Sequence, residues 1–330
     1  MAALDFPSAP TLNQIFAAPS GYVYKWDNTA WISVIAPVTS EVKNFLVNGD
    51  LSTNQKNGTT AVLCTAGAST WFADMWRATV AGASVTALSV PGNYFGGLSN
   101  FVTQFAGAAG NTRIMPFQRL AGEDAYPLAS KNCVLSFFLY VSTGTKSVTW
   151  RINAANAANN FTAKTLVASG SITLTTTQTR FSLPFVATAL VANGLEVEID
   201  MTSGLAAGQS MTLGAIQLEL GDYVTSFETE EPAAKFDRCQ RYYQQSLAVD
   251  GNAKLSGFMN IGGVYLGHAD FNTKMRATPT VACVNTSNRG ISGAVTPYAV
   301  GQNGFTAQGV CDSNQIDGFA LFSWTATAEL

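Results

Sequence analysis

Residues 195–200 read Leu195-Glu196-Val197-Glu198-Ile199-Asp200, a strict alternation of apolar and acidic side chains. Successive side chains of a β-strand point to opposite faces, so this stretch predicts a strand with one buried face and one face in solvent. Further short runs of strand-forming residues surround it, at 134–141, 147–152, 169–174, 180–185 and 211–218. Because no long helical pattern separates these runs, the sequence predicts an all-β fold in which two sheets pack as a sandwich.

The composition agrees with this fold class and narrows the function. Charged residues make up only 12% of the 330-residue chain, about half the usual share. A surface so poor in charge is weakly protected against association, so we expect a homo-oligomer. With a formal net charge of −3 and no run of Lys or Arg, we expect no nucleic-acid binding. The apolar runs are short and the N-terminus lacks a signal-peptide pattern, so we expect no membrane insertion and synthesis in a cytoplasm.

Residues that carry catalytic or metal chemistry are sparse. The chain has five cysteines without a CxxC pair and one histidine, His268, which favours free buried thiols over a zinc site. Whether Cys283 and Cys311 pair is left open. Glu196 and Glu198 have a spacing compatible with glycosidase carboxylates, although alternating acids are more often a solvated strand face. We therefore expect a protein that is not an enzyme, with polysaccharide cleavage as an alternative.

Four segments follow one another along the chain. Residues 1–43 contain a hairpin pattern with an Asp27-Asn28-Thr29 turn, and residues 44–228 contain the sandwich pattern. Residues 229–246 predict a short linking helix that starts with Thr229 as its cap. Its predicted buried stripe comprises Ala233, Phe236, Gln240 and Tyr243. Residues 247–330 predict a smaller β-domain with strands at 261–266, 279–284 and 318–326.

Several motifs resemble those of bacteriophage tail fibres. Leu46-Val47-Asn48-Gly49-Asp50-Leu51 and Asp74-Met75-Trp76-Arg77 resemble the "NGDF" and "DRW" opening of carbohydrate-binding-module-like jelly rolls in such fibres, with Leu51 and Met75 departing from it. Ile216 to Gly221 resembles the close of that domain, and Arg238-Cys239-Gln240-Arg241-Tyr242-Tyr243 resembles the "RCQRYY" signature that follows it. Residues 275–280 and 326–330 resemble the accompanying C-terminal module, and residues 4–7 with 24–27 resemble a virion-attachment segment.

This resemblance implies a homotrimeric fibre in the tail or baseplate of a virion. Its N-terminus is expected to attach to other tail, baseplate or capsid proteins, and its distal β-domains to recognise a host surface glycan or other receptor. Two alternatives remain open, namely an architectural virion protein such as a head fibre, decoration or baseplate component, and a polysaccharide-degrading tailspike.

Three groups of candidate site residues follow. Sugars stack on aromatic faces beside hydrogen-bonding side chains, and the glycan-binding candidates are Trp71, Tyr94, Phe95, Tyr126, Asn288, Arg289 and Phe305. Of these, Tyr94 and Phe95 are expected on a mobile loop before Gly96-Gly97. The aromatic candidates for virion anchoring are Phe6, Tyr22, Tyr24, Trp26 and Trp31, unless they stack on one another. No cofactor is expected, although Asn48, Asp50 and Glu219 offer the oxygen ligands that a structural calcium prefers.

Overall fold

The computed structural model describes residues 6–17, 23–33, 44–246 and 253–330. Near the N-terminus it contains a three-stranded antiparallel sheet of β1 (Ile15–Ala17), β2 (Val23–Trp26) and β3 (Trp31–Ser33). The predicted hairpin is confirmed, because β2 pairs with β3 and Trp26 lies opposite Trp31. The Asp27 carboxylate closes the turn by accepting hydrogen bonds from the backbone N–H groups of Thr29 (2.8 Å) and Ala30 (2.7 Å). Tyr22 lies outside the described residues.

Residues 62–220 form a sandwich of two six-stranded antiparallel sheets. Its strands in chain order are β4 (Val62–Cys64), β5 (Ser69–Ala73), β6 (Trp76–Gly82), β7 (Val85–Tyr94), β8 (Ser99–Ala106), β9 (Asn111–Ala121), β10 (Asn132–Val141), β11 (Lys146–Ala157), β12 (Asn160–Leu174), β13 (Thr179–Val186), β14 (Gly194–Asp200) and β15 (Ser210–Leu220). The first sheet has the order β13–β10–β15–β8–β7–β4, and the second sheet has the order β12–β11–β14–β9–β6–β5. The predicted all-β jelly-roll sandwich is therefore confirmed.

The core of the sandwich lies between the two sheets. Leu195, Val197 and Ile199 of β14 are fully buried there, as the alternating pattern predicts. Leu51 and Met75, the two departures from the fibre motifs, also lie in this core. Burial of a large apolar side chain contributes about 1.5–3 kcal/mol, so Leu51 and Met75 stabilise the packing of the core.

The C-terminal module comprises residues 253–330 together with the strand β16. Its strands are β16 (Tyr243–Gln245), β17 (Ala253–Met259), β18 (Val264–Asp270), β19 (Thr280–Arg289), β20 (Ile291–Val300), β21 (Gly304–Cys311) and β22 (Gln315–Thr327). In one sheet β22 pairs with β16, β17 and β19, and the other sheet has the order β18–β21–β20. Phe305, Phe322 and Trp324 pack in the core of this module. The strand predicted at residues 261–266 starts only at Val264, because Gly262 takes a left-handed turn conformation (φ 77°).

Within the described ranges, two short α-helices accompany the strands, α1 (Gly122–Ala125) and α2 (Pro232–Gln240). The predicted cap of α2 is wrong, since the carboxylate of Glu231, and not Thr229, accepts the hydrogen bond from the Ala234 N–H group (2.9 Å). The helix also ends earlier than predicted, and Tyr243 starts β16.

The buried face of α2 differs from the predicted stripe as well. It consists of Lys235, Cys239 and Gln240, whereas Phe236 is 39% exposed. A lysine can face the sandwich because its ammonium group donates to the Asp50 carboxylate at 2.6 Å. Charge pairing, which the hydrophobic pattern does not contain, therefore sets the rotation of this helix.

A set of polar contacts, here called the joint, connects the sandwich to the segment 241–245 and the C-terminal module. Lys56 forms an ion pair with Glu329 (2.5 Å) and lies over the rings of Trp71 and Tyr243. The side-chain amide of Gln245 donates to the carbonyl of Gln55 at 2.6 Å. The further contacts of the joint are Tyr242 with Asp124, Arg241 with Asp124 and Arg276 with Glu123. Tyr242 is only 1% exposed and belongs to the core of the sandwich, so the joint is continuous with that core.

All five cysteines are free. Cys283 and Cys311 therefore do not pair, and Cys64, Cys133 and Cys239 are buried as small core side chains. Neither helix in the described part of the chain has the length and apolar character needed to cross a membrane.

Candidate functional site

The acidic face of β14 is buried, which corrects the predicted solvent-exposed face. Glu196, Glu198 and Asp200 are only 1%, 5% and 1% exposed. Four cations from neighbouring strands cover them. The ion pairs are Arg119–Glu196 (2.7 Å), Lys164–Glu196, Lys164–Glu198 (2.9 Å), Arg151–Glu198 (3.4 Å), Arg151–Asp200 (2.7 Å) and Arg113–Asp200 (2.7 Å). We call these seven residues the charge network of the second sheet.

The charge network neutralises the two carboxylates considered for catalysis. Burial acts to raise the pKa of Glu196, but hydrogen bonds from Glu198, Lys164 and Arg119 outweigh it and lower that pKa. Burial and the neighbouring Glu196 together raise the pKa of Glu198. A pair with divergent pKa values resembles an acid–base pair, but here Lys164 bridges both carboxylates. The arrangement therefore favours a structural role for Glu196 and Glu198.

The glycan-binding candidates predicted in the sandwich lie apart, in different surroundings. Phe95 lies in the turn before Gly96-Gly97 as predicted, but its ring is buried and stacks on Phe138 with 4.2 Å between centroids. Tyr94, the last residue of β7, packs beside it. Trp71 lies between Lys56 (4.1 Å) and Arg77 (3.8 Å), so cations contact its ring. Tyr126 is 69% exposed at the end of α1. Tyr126 is thus the candidate among these four with a largely open ring.

The glycan-binding candidates in the C-terminal module also lie in different surroundings. Phe305 is 1% exposed and packs against Phe271 and Trp324, so its ring is a core element. Asn288 and Arg289 are exposed near the end of β19, and Arg289 pairs with Asp317 at 2.7 Å. All three residues lie in strands, Asn288 and Arg289 in β19 and Phe305 in β21.

The calcium candidates each have protein partners. The Asn48 side chain donates to the carbonyls of Thr53 and Asp74, both at 2.9 Å, and its oxygen accepts from the Thr53 N–H group. Asp50 is paired with the Lys235 ammonium group, and Glu219 accepts two hydrogen bonds from Thr225. Because an ammonium group already neutralises the one acid of the Asn48-Gly49-Asp50 turn, the structure does not support the calcium prediction.

The N-terminal aromatic side chains pack on one another. The Phe6 ring lies 5.0 Å from both Phe16 and Tyr24 and 5.4 Å from Trp31, and Trp26 lies 5.6 Å from Trp31. The structure therefore agrees with the alternative that these rings stack on one another. The attachment of this segment to a virion stays a prediction.

A groove of about 680 Å³ opens where α2 faces the loop 50–55 and the start of β8. The loop wall is fixed, because the Asn54 amide donates to the Phe72 carbonyl (3.0 Å) and Lys235 joins Asp50 to α2. Phe236 projects from the opposite wall, and Phe101 of β8 adds a second, half-buried ring. The volume falls within the range of about 300–1,000 Å³ that is usual for small-molecule sites.

The groove also offers unused hydrogen-bonding groups. The side chains of Thr53, Asn100 and Thr229 line it and make no hydrogen bond to another described residue. The Glu230 carboxylate lies on the same wall as Thr229, with one oxygen held by Arg238 at 3.0 Å. Two aromatic rings beside free amide and hydroxyl groups form the combination that binds sugars, since rings stack on apolar sugar faces and the polar groups bond the hydroxyls.

The sequence did not point to this groove. The helical pattern placed Phe236 on the buried stripe, and Phe101 lies in a segment for which no strand was predicted. The local pattern contains no signal for this rotation, because Lys235 is buried only through its pair with Asp50, 185 positions away along the chain.

No family model and no curated protein matches the sequence. Among solved structures, a CBM4 structure is 14% identical with a TM-score of 0.35, over 53% of this chain and 98% of its own. The enzymatically active domain of tailspike protein 4 of Bacteriophage CBA120 is 14% identical with a TM-score of 0.35, over 54% of this chain and 21% of its own. A family 11 carbohydrate-binding module from Clostridium thermocellum is 12% identical with a TM-score of 0.32, over 50% of this chain and 96% of its own. The strand order described above, and not these distant likenesses, defines the class, an all-β jelly-roll sandwich with a second small β module.

Proposed function

We propose that this protein is a carbohydrate-binding fibre component of a bacteriophage virion and acts without catalysis. The observation that carries the binding role is the groove, where Phe101 and Phe236 lie beside the unpaired side chains of Thr53, Asn100 and Thr229. The lining offers stacking surface and hydrogen bonds, the two interactions that hold a sugar ring. The two acids considered for catalysis are instead neutralised in the charge network, which favours binding over turnover.

The virion assignment is supported by the fibre-like motifs of the sequence, and the trimer by the surface of the C-terminal module. Val264, Leu266 and Val284 are 58%, 56% and 62% exposed on its strands. Apolar side chains at strand positions favour association, and a closed homotrimer covers such faces and strand edges. In this proposal the N-terminal segment attaches to other virion proteins, and the sandwich carries the glycan site.

The groove is tested by a glycan array probed with the full chain and two variants. Phe236→Ala removes the more exposed ring of the groove, and we expect it to weaken binding at least tenfold. Tyr126→Ala removes an exposed aromatic ring outside the groove and should bind like the wild type. Loss of binding in Tyr126→Ala but not in Phe236→Ala would move the site to the end of α1.

The virion assignment has its own experiment. Light scattering should give a mass three times that of the chain, antibodies should label virion fibres, and soluble protein should compete with adsorption to host cells. Labelling at the capsid or between baseplate proteins, without competition, would favour the alternative of an architectural virion protein.

A further inference from the structure

We infer that the groove selects uncharged glycans and rejects acidic ones, an inference that rests on the proposed glycan-binding function. The charge distribution carries it. The ionisable side chains of the groove lining are two carboxylates, Asp50 and Glu230, and one ammonium group, Lys235. The described lining thus has a net negative charge.

The one cation of the lining is already engaged. Lys235 is buried, and its ammonium group donates both to Asp50 (2.6 Å) and to the Ser52 hydroxyl. Two of its three N–H donors are therefore engaged. Because an ammonium group has only three donors, the pair with Asp50 leaves little to offer a second carboxylate.

Arg238 lies beside the groove but is not part of its lining. Arg238 donates through Nη1 to Glu230 (3.0 Å) and through Nη2 to the carbonyls of Asn44 (3.4 Å) and Phe45 (3.3 Å). It therefore offsets part of the Glu230 charge, and three of its N–H donors are engaged by Glu230 and the backbone. Glu231, exposed at the cap of α2, adds another negative charge beside this wall.

An uncharged sugar meets no such obstacle. Its hydroxyl groups can donate to the lone pairs of Glu230 that Arg238 leaves unused, and they can pair with the free Asn100 amide and Thr229 hydroxyl. A carboxylate on the sugar would instead lie beside like charges without a counterion, which raises the cost of its desolvation. Glu230 is therefore the specificity-determining residue of the groove.

The test uses oligosaccharides of glucose, galactose and mannose paired with their uronate counterparts, which differ only by a carboxylate at C6. For at least one pair, the wild-type chain should bind the neutral member at least tenfold more tightly than the uronate. Glu230→Gln should reduce that ratio at least threefold, and Arg238→Met, which leaves Glu230 without its cation, should increase it. Asp312→Asn removes an exposed carboxylate of the C-terminal module and is the matched control, with an unchanged ratio.

The outcomes separate the two proposals. If the uronates bind as well as the neutral sugars, or if the ratio is the same in Glu230→Gln and Asp312→Asn, the selectivity is overturned while glycan binding stands. If uronates bind and the substitution Arg151→Gln abolishes that binding, the charge network of the second sheet is the site. If no member of the panel binds the wild type, the proposed function fails together with the selectivity.

Discussion

The Asn48-Gly49-Asp50 turn shows how three neighbouring residues perform three different tasks. Asn48 bonds backbone groups of the sandwich, and Asp50 neutralises Lys235 of α2. Gly49 is required for space, since a Cβ atom there would lie 2.1 Å from the Ile216 carbonyl oxygen and 2.7 Å from the Asn44 amide. The motif that resembles fibre proteins is therefore explained by packing between the start of the domain and β15.

Gly49→Ala should lower the free energy of unfolding by about 3 kcal/mol, because the added methyl group meets backbone that has no free path away. Urea unfolding followed by tryptophan fluorescence measures the change. Gly301→Ala is the control, because a Cβ atom there would have only the Gly304 carbonyl within reach, at 3.7 Å. Equal stability of the two variants would contradict the packing explanation.

Lys235→Met is expected to lower the free energy of unfolding by about 3 kcal/mol, because it leaves Asp50 without its cation in a half-buried position. The exposed Lys254 provides the matched change, and Lys254→Met should have an effect of less than about 0.5 kcal/mol. The measurement is the urea midpoint at neutral pH, and a Lys235→Met protein as stable as the wild type would show that the pair contributes no stability.

At the scale of elements, β14 contributes side chains to both faces of the second sheet. Its apolar residues fill the core, and its acids anchor cations from β9, β11 and β12. Burial acts to raise the pKa of Asp200, but hydrogen bonds from Arg113 and Arg151 hold it below the ordinary value of 3.8. The folded state therefore favours the ionised carboxylate.

Asp200→Asn tests this contribution through its pH dependence. A lowered folded-state pKa stabilises the fold above the ordinary pKa, and that stabilisation is lost as the pH falls through the folded-state value. The variant should be about 2 kcal/mol less stable than the wild type at pH 7, and the difference should shrink as the pH falls below 3.8, the ordinary pKa of the group. Urea unfolding across this range measures it, with the exposed Asp270→Asn as control. A constant difference at all pH values would contradict an ionic origin.

The sequence predicted some elements well because their patterns were clean. The runs of strand-forming residues at 134–141, 147–152, 169–174, 180–185 and 211–218 lie within β10, β11, β12, β13 and β15, and the alternating residues 195–200 lie within β14. No strands were predicted between residues 52 and 132, where β7 and β9 contain Pro91 and Pro116 and interrupt the pattern. The acidic face of β14 was predicted to be wet, because cations that arrive from distant strands are invisible to a local pattern. The groove was not predicted for the same reason, since α2, the loop 50–55 and β8 come together only in the folded chain.

At the scale of the whole molecule, the joint determines how the sandwich holds the C-terminal module. Lys56 and Glu329 are central to it, with Glu329 only 5% exposed at its side chain. Burial raises the pKa of Glu329 despite the nearby Lys56, so the carboxylate depends on that cation to stay ionised in its site.

Lys56→Met should therefore loosen the joint without unfolding the sandwich. Hydrogen–deuterium exchange should become faster in β16 and at the end of β22, while β14 keeps its protection. Lys131→Met, a change on the sandwich outside the joint, should alter neither region. Equal acceleration in β14 and β22 would indicate a global loss of stability.

The loop 50–55 forms a wall of the groove and also contacts the joint. Its last residue, Gln55, lines the groove, accepts a hydrogen bond from Gln245 and donates to the Tyr243 carbonyl at 3.1 Å. The opposite wall, α2, continues directly into the same segment. A glycan held in the groove would therefore touch two segments that also hold the joint. We expect occupancy of the groove to slow amide exchange in β16 as well as in the groove walls, so that the C-terminal module would sense the bound ligand.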